Sequence, residues 1–315
     1  MPPYLTVIGN VFIDIKGFAH RAYDPYGKNI GDVRFVHGGV GRNVADNLAA
    51  LGAPTRLVAS VDDSALGSEV VRRLADAGVD TAYIAVAERG MGMWLAVMDE
   101  AGNVRGGISQ QPQFDALQRT LDERGDDLVR DTDRIVLSVD LTERIARRSI
   151  ELARRHRKPI YGLPGHFQIV MEHQDLLGEL DCFICNHVEA GRLTGDDWEG
   201  LSNDRRLEAL EAYMEARGVR AMVVTLGAEG AVYCDREAHL RGMQPTFPAT
   251  LRDASGAGDA FSAGTVWALA RGLPLDQAVV CGTKVAGWVI ESEQNVCQDA
   301  AARMKRDPWF QPLLP

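Results

Sequence analysis

The chain has 315 residues, 46% hydrophobic and 25% charged, a balance that suits one large soluble domain or a domain with a smaller companion. Its 34 basic residues against 44 acidic ones leave a formal charge of −10. That excludes a nucleic-acid polymer as partner, since phosphate backbones are bound by an excess of Lys and Arg, but not a nucleotide, which needs only a local positive site.

In chain order, residues 4–9 (YLTVIG) carry the period of a strand, and 43–52 (NVADNLAALG) that of a helix ended by Gly52. A strand at 55–61 and a helix at 67–78 follow, then a strand at 133–140 and a helix at 143–156. Strand patterns return at 158–163, 181–186 and 221–226, an amphipathic helix lies at 205–218, and the last third reads as mostly helical. Strands alternating with helices predict an α/β fold with a doubly wound, mostly parallel sheet.

Two segments break the rhythm. Residues 11–37 have strand-like ends around a turn-rich middle, and 91–109 alternate around Glu100-Ala101-Gly102-Asn103, a hairpin signal. They predict a small accessory sheet, a lid of residues 11–37 and 91–109, beside an α/β domain of residues 1–10, 38–90 and 110–315. An exposed lid edge is open to a second copy, which predicts a homodimer.

Five scattered cysteines, an odd number at low density, predict reduced thiols and a cytoplasmic location. Cys182 and Cys185 form a CxxC inside a strand pattern, where positions three apart face opposite ways, so neither a metal nor a redox pair is expected. No basic-then-apolar leader opens the sequence and no run reaches 18 apolar residues, which predicts neither signal peptide nor membrane span.

The chemistry concentrates at strand ends, where open α/β sheets bind ligands. In DASGAGDAF (253–261), Gly256-Ala257-Gly258 run into Asp259 at the mouth of a helix. Unpaired amides and a positive dipole there suit an anion such as phosphate; the plainer reading is a tight turn with a first-turn acid. GNVFID (9–14) ends a strand with Asn10 and then Asp14, whose carboxylate suits vicinal hydroxyls or is a solvated turn acid. GGVGRN (38–43) is a poor dinucleotide loop, because Val44 stands where the third glycine belongs. Its glycines, Gly39 among them, let backbone amides approach a polar ligand, and Asn43 offers a donor and an acceptor. NHVEAGRLTG (186–195) sets Asn186 and Glu189 three apart after a strand, either a first-turn acid or a group that orients waters around Mg²⁺. VTLGAEG (224–230) ends a strand with Thr225 and Gly227, which suit a phosphate or a plain turn. No GxxxxGK[ST] and no HExxH occur, and His166 and His173 are assigned no role.

Taken together, DASGAGDAF, GGVGRN, NHVE and VTLGAEG resemble, in order and approximate spacing, the signatures of the ribokinase-like (PfkB) carbohydrate kinases over nearly the whole chain. The resemblance implies a Rossmann-like domain with a β-sheet lid, ATP and Mg²⁺, and transfer of the γ-phosphoryl group to a hydroxymethyl group. It implies Asp259 as catalytic base, with Gly256, Ala257 and Gly258 as its anion hole. Asn186 and Glu189 would serve the Mg²⁺–phosphate region, Thr225 and Gly227 the ATP phosphates, and Asp14, Gly39 and Asn43, with Asn10 beside them, the sugar. Asp253 and Ser255 match positions that help bind a monovalent cation, K⁺, in several members. The pattern IDIKGFAH…GDVRFVHGGVGRN is most similar to pseudouridine kinases, while GISQQPQ (107–113) and YGLPGHF (161–167) depart from them. The expected acceptor is therefore pseudouridine or a related ribosyl compound. Alternatives are a hexose or sugar acid and, from another class, a non-catalytic nucleotide or sugar sensor; a dinucleotide oxidoreductase is the outsider.

Overall fold

A computed structural model describes residues 2–100, 103–139, 141–165 and 167–313. Short runs of Val, Ile and Leu form its strands. The first half holds β1 (Leu5–Ile8), β2 (Phe12–Ala19), β3 (Gly31–Gly38), α1 (Val40–Ala50), β4 (Thr55–Val61), α2 (Ala65–Asp76), β5 (Val79–Val86), β6 (Gly92–Met98), β7 (Val104–Gln110), α3 (Asp115–Arg130), β8 (Arg134–Ser138) and α4 (Glu143–Arg155). The second holds β9 (Ile160–Leu163), α5 (Gln168–Glu172), β10 (Cys182–Asn186), α6 (His187–Thr194), α7 (Asn203–Arg217), β11 (Ala221–Thr225), β12 (Ala231–Asp235), β13 (Leu240–Gln244), α8 (Ala257–Ala270), α9 (Leu275–Ile290) and α10 (Ala300–Arg306).

The large sheet has nine strands in the order β13-β12-β11-β10-β9-β8-β1-β4-β5. From β11 to β5 every neighbouring pair is parallel, whereas β12 and β13 run antiparallel at one edge. Helices cover both faces, as near-continuous apolar strands require. One core collects α1, α2, α8 and α9 with Leu5, Val7, Val136 and Cys182; the other collects α3, α4, α6 and α7 with Ile8, Ile135, Phe183 and Cys185. Cys182 and Cys185 thus lie on opposite faces, and both are free and buried. No helix among the described residues is long and apolar enough to cross a membrane.

The last third is less helical than its composition suggests, because β12 and β13 precede the final helices. β5 and α3 also escape the periodicity argument. β5 is an edge strand and mostly half-buried, so its VDTAYIAV pattern lacks a clean buried face.

The second sheet has four strands, β3-β2-β6-β7. The turn expected between β6 and β7 is described only at Glu100 and Asn103; Ala101 and Gly102 lie outside the described residues. Register places Asp14 beside Trp94, and Trp94 opposite Ser109, in one row on one face. Phe35, Ile15, Leu95 and Ile108 form the next row, on the other face.

Helix α1 begins at Val40, three residues earlier than its period predicts, and its N-cap Gly39 has φ 94°. A side chain at Gly39 would meet Asn10 O at 2.8 Å, and one at Gly41 would meet the Gly9 Cα at 2.5 Å. The glycines therefore let the first turn of α1 lie directly on the end of β1. Gly41→Ala should destabilise the fold by about 3 kcal/mol in denaturant unfolding, because the three atoms its Cβ would meet, Gly9 Cα, Asn10 N and Gly9 C, are all backbone and cannot yield. An unchanged midpoint would refute this account of the contact.

Candidate functional site

The carboxyl ends of β9, β10 and β11 open onto the first turns of α1 and α8. Between them lies a cavity of about 130 Å³ whose walls include Val40, Asn186, Glu189, Thr225, Gly258 and Asp259. Five residues singled out from three separate sequence motifs share this space: Asn186, Glu189, Thr225, Gly258 and Asp259.

Asp259 sits in the first turn of α8. The helix is entered through Gly256, whose φ of 78° belongs to the left-handed region and whose missing side chain leaves room for Asn295. The Ala257 amide donates to Ala254 O at 3.2 Å. Among the described residues the amides of Gly258 and Asp259 have no backbone acceptor, as expected of a helix start. Asn43 Nδ2 donates to Asp259 Oδ2 at 2.6 Å. Burial pushes the Asp259 carboxyl up to about 6, against the opposing pull of the Asn43 hydrogen bond and the Arg42 charge.

Arg42 is a buried charge beside the site that motif reading passed over. It is buried, donates through Nη1 to Asp46 Oδ2 at 2.8 Å and through Nη2 to His37 O, and its Nε has no hydrogen-bond partner among the described residues. Its charge lowers the pKa of both Asp259 and Asp14. The pairing with Asp46 at i,i+4 is legible in the sequence; the proximity to Asp259 is not. Asn43, next to it, is buried, and its Oδ1 has no partner among the described residues.

Asn186 caps α6 in a reciprocal box: the Glu189 amide donates to Asn186 Oδ1 at 2.9 Å, and the Asn186 amide donates to Glu189 Oε2 at 2.8 Å. Glu189 is thus a first-turn acid and also a cavity wall. Burial raises its pKa, although the Asn186 bonds oppose this. Thr225 Oγ1 donates to Cys185 O at 3.4 Å.

The remaining candidates stand outside the cavity. Gly227 opens a short turn with φ 57°. Asn10 Oδ1 accepts from the Gly41 amide at 3.2 Å and so braces α1. Gly39 caps the same helix. Asp14 lies on β2 in the accessory sheet, half-buried, its pKa raised by burial. Asp253 accepts from the Ser255 amide at 2.8 Å in the loop before α8. Ala257 follows Gly256 at the helix start and His166 lies outside the described residues.

Among the described residues no group of three or more His, Cys, Asp and Glu is placed to hold a metal ion. A single carboxylate on the cavity wall, Glu189, still fits Mg²⁺, which keeps most of its waters and takes its other oxygens from substrate phosphates.

Residues 2–298 match the model for the pfkB family carbohydrate kinase. The chain is 33% identical over 298 residues to the guanosine-inosine kinase of Exiguobacterium acetylicum, covering 92% of this chain and 95% of that protein. It is 24% identical to the pseudouridine kinase of Escherichia coli (strain K12), over 88% and 87% of the two chains. Its fold is similar to that of Arabidopsis thaliana ribokinase, solved with ribose and ATP, at a TM-score of 0.82 and 20% identity, over 96% of this chain and 98% of that one.

The raised pKa of Asp259 has a stability consequence. A carboxyl near 6 in the folded chain against an ordinary value of 3.8 disfavours folding above pH 6, and the penalty vanishes below pH 4. Asp259→Asn removes the charge, so it should stabilise the protein by about 1–2 kcal/mol at pH 8 and leave it unchanged at pH 3.5. Denaturant unfolding at the two pH values measures this; equal effects at both would contradict it.

Proposed function

This chain is a kinase of the pfkB carbohydrate kinase family, and from that premise we propose that it moves the γ-phosphoryl group of ATP to the 5′-hydroxymethyl group of a ribonucleoside, guanosine or inosine first. The observation that carries the reading is Asp259, held by Asn43 at the mouth of α8 and facing Asn186, Glu189 and Thr225 across one cavity. A sensor has no use for such an acid. Similarity supports the acceptor: the guanosine-inosine kinase is 33% identical and the pseudouridine kinase 24%, so the ribosyl expectation is kept and the base moves from pseudouridine toward a purine.

Phosphoryl transfer demands position and charge stabilisation more than covalent help from the protein. Asp259 takes the proton of the attacking hydroxyl; a carboxyl near 6 is ionised at neutral pH and more basic than an ordinary aspartate. The open amides of Gly258 and Asp259, entered through Gly256 and Ala257, stabilise the phosphoryl oxygens. Thr225 and Gly227 meet the outer phosphates of ATP. Asn186 and Glu189 serve the region of the Mg²⁺, which when bound neutralises phosphate charge. Asp14, Asn10 and Gly39 face the sugar, Asn43 joins them through Asp259, and Asp253 and Ser255 border the place for a monovalent cation.

The accessory sheet closes over the sugar from the side that carries Asp14. Its other face leaves Phe35, Leu95 and Ile108 exposed at 55%, 43% and 71%. Such an apolar row supports the homodimer through the lid.

In an ADP-release assay with Mg·ATP, guanosine or inosine should give higher kcat/KM than pseudouridine, ribose, fructose or a sugar acid. Asp259→Asn should lower kcat by about 10²–10⁴, and the wild-type rate should fall as pH drops through about 6. Full activity in Asp259→Asn would overturn the mechanism; preference for a free sugar would overturn the acceptor. In sedimentation velocity the wild type should run as a dimer and Leu95→Lys/Ile108→Lys as a monomer; identical profiles would remove the lid interface.

A further inference from the structure

Behind the Asn43–Asp259 pair lies a buried polar knot that the phosphoryl-transfer reading does not use. At its centre is Asn47, one helical turn beyond Asn43 on α1 and only 1% exposed. Its Nδ2 donates to Asn43 O at 2.9 Å and to Asn295 O at 3.1 Å, and its Oδ1 accepts from the Cys297 amide at 3.4 Å. Both donors and the acceptor of the amide are therefore engaged. Asn295 in turn packs against Gly256: a side chain at Gly256 would lie 2.8 Å from the Asn295 Cα. Asn295 Nδ2 also donates to His37 O at 3.2 Å, the same carbonyl that accepts from Arg42 Nη2.

We infer that Asn47 is a positioning residue for the reaction: it locks the first turn of α1 to the 295–297 segment, and so sets both ends of the Asn43–Asp259 hydrogen bond. One end is Asn43 itself. The other is α8, whose entry at Gly256 rests on Asn295. A buried amide that joins a first-turn carbonyl of its own helix to a carbonyl and an amide of the distant 295–297 segment fixes their separation, because any shift leaves a buried polar group unpaired. The end of β3 joins the same knot through His37 O, so the accessory sheet and the base are referenced to one point. This inference rests on the reading of Asp259 as the catalytic base.

The charged groups that face Asp259 are Arg42 from α1 and Glu189 across the cavity from α6. The Asn43 hydrogen bond holds the carboxyl below the value that burial alone would give. Loosening that bond must then raise the pKa of Asp259, and the acid limb of the kcat profile must move to higher pH.

Asn47→Leu keeps the volume and removes every hydrogen bond; Asn47→Ala opens space for water and carries the test if the leucine variant does not fold. Either should lower kcat about 10- to 100-fold, leave KM for ATP unchanged and move the acid limb upward. In an Asn43→Ala background the same change should produce no further shift of the limb, since the bond through which Asn47 acts is already gone. A wild-type limb and kcat, or an equal shift in the Asn43→Ala background, would overturn the inference. Asp259→Asn separates the two readings. If it is inactive while the Asn47 variants behave as wild type, the positioning role alone falls; if it is fully active, the base reading falls and takes this role with it.

Discussion

The contact between α1 and α8 at their first turns is the constraint on which the site depends. Its visible sign is a hydrogen bond of 2.6 Å between Asn43 and Asp259, residues 216 apart in the chain. Two helix starts, each a positive dipole end and that of α8 with open amides, do not approach without reason. A half-buried carboxylate between them, backed by Arg42, supplies the charge complement. Glycine supplies the room: at Gly41 against Gly9, and at Gly256 against Asn295, no side chain fits.

That approach governs the electrostatics. Burying Asp259 raises its pKa, while Asn43 and Arg42 limit the rise, and the balance near 6 leaves a carboxylate that is ionised at neutral pH and more basic than an ordinary aspartate. Across the cavity Glu189 is also raised by burial, yet the capping box holds one of its oxygens on the Asn186 amide. Hydrogen-bond partners thus give two carboxylates in one small space different environments.

The accessory sheet shows the same economy of faces. Period-two alternation sends Asp14 and Trp94 to one side and Ile15 and Leu95 to the other. A single residue slip between β2 and β6 would exchange the two sets and move Asp14 to the opposite face. Arg42 ties the end of the neighbouring strand β3 to α1 through His37 O, so the sheet that carries Asp14 and the helix that carries Asn43 share a hydrogen-bonded corner.

Much of this was readable from the chain itself. Alternating strand and helix periods indicated the parallel sheet, turn-rich interruptions marked the accessory strands, and DASGAGDAF announced a helix start with an acid inside it, because these are local patterns of backbone preference and burial. Asn186 and Glu189 were likewise legible as a spacing of three after a strand. Distance-dependent properties were not. The role of Gly41 as a packing contact, the early start of α1, the partnership of Asn43 with Asp259, and the buried corner of Arg42, Asn47 and Asn295 all join segments far apart in sequence. Local periodicity carries no term for which strand end a helix will rest upon; only the closed fold brings those polar groups together, excludes water from them and thereby decides which must pair.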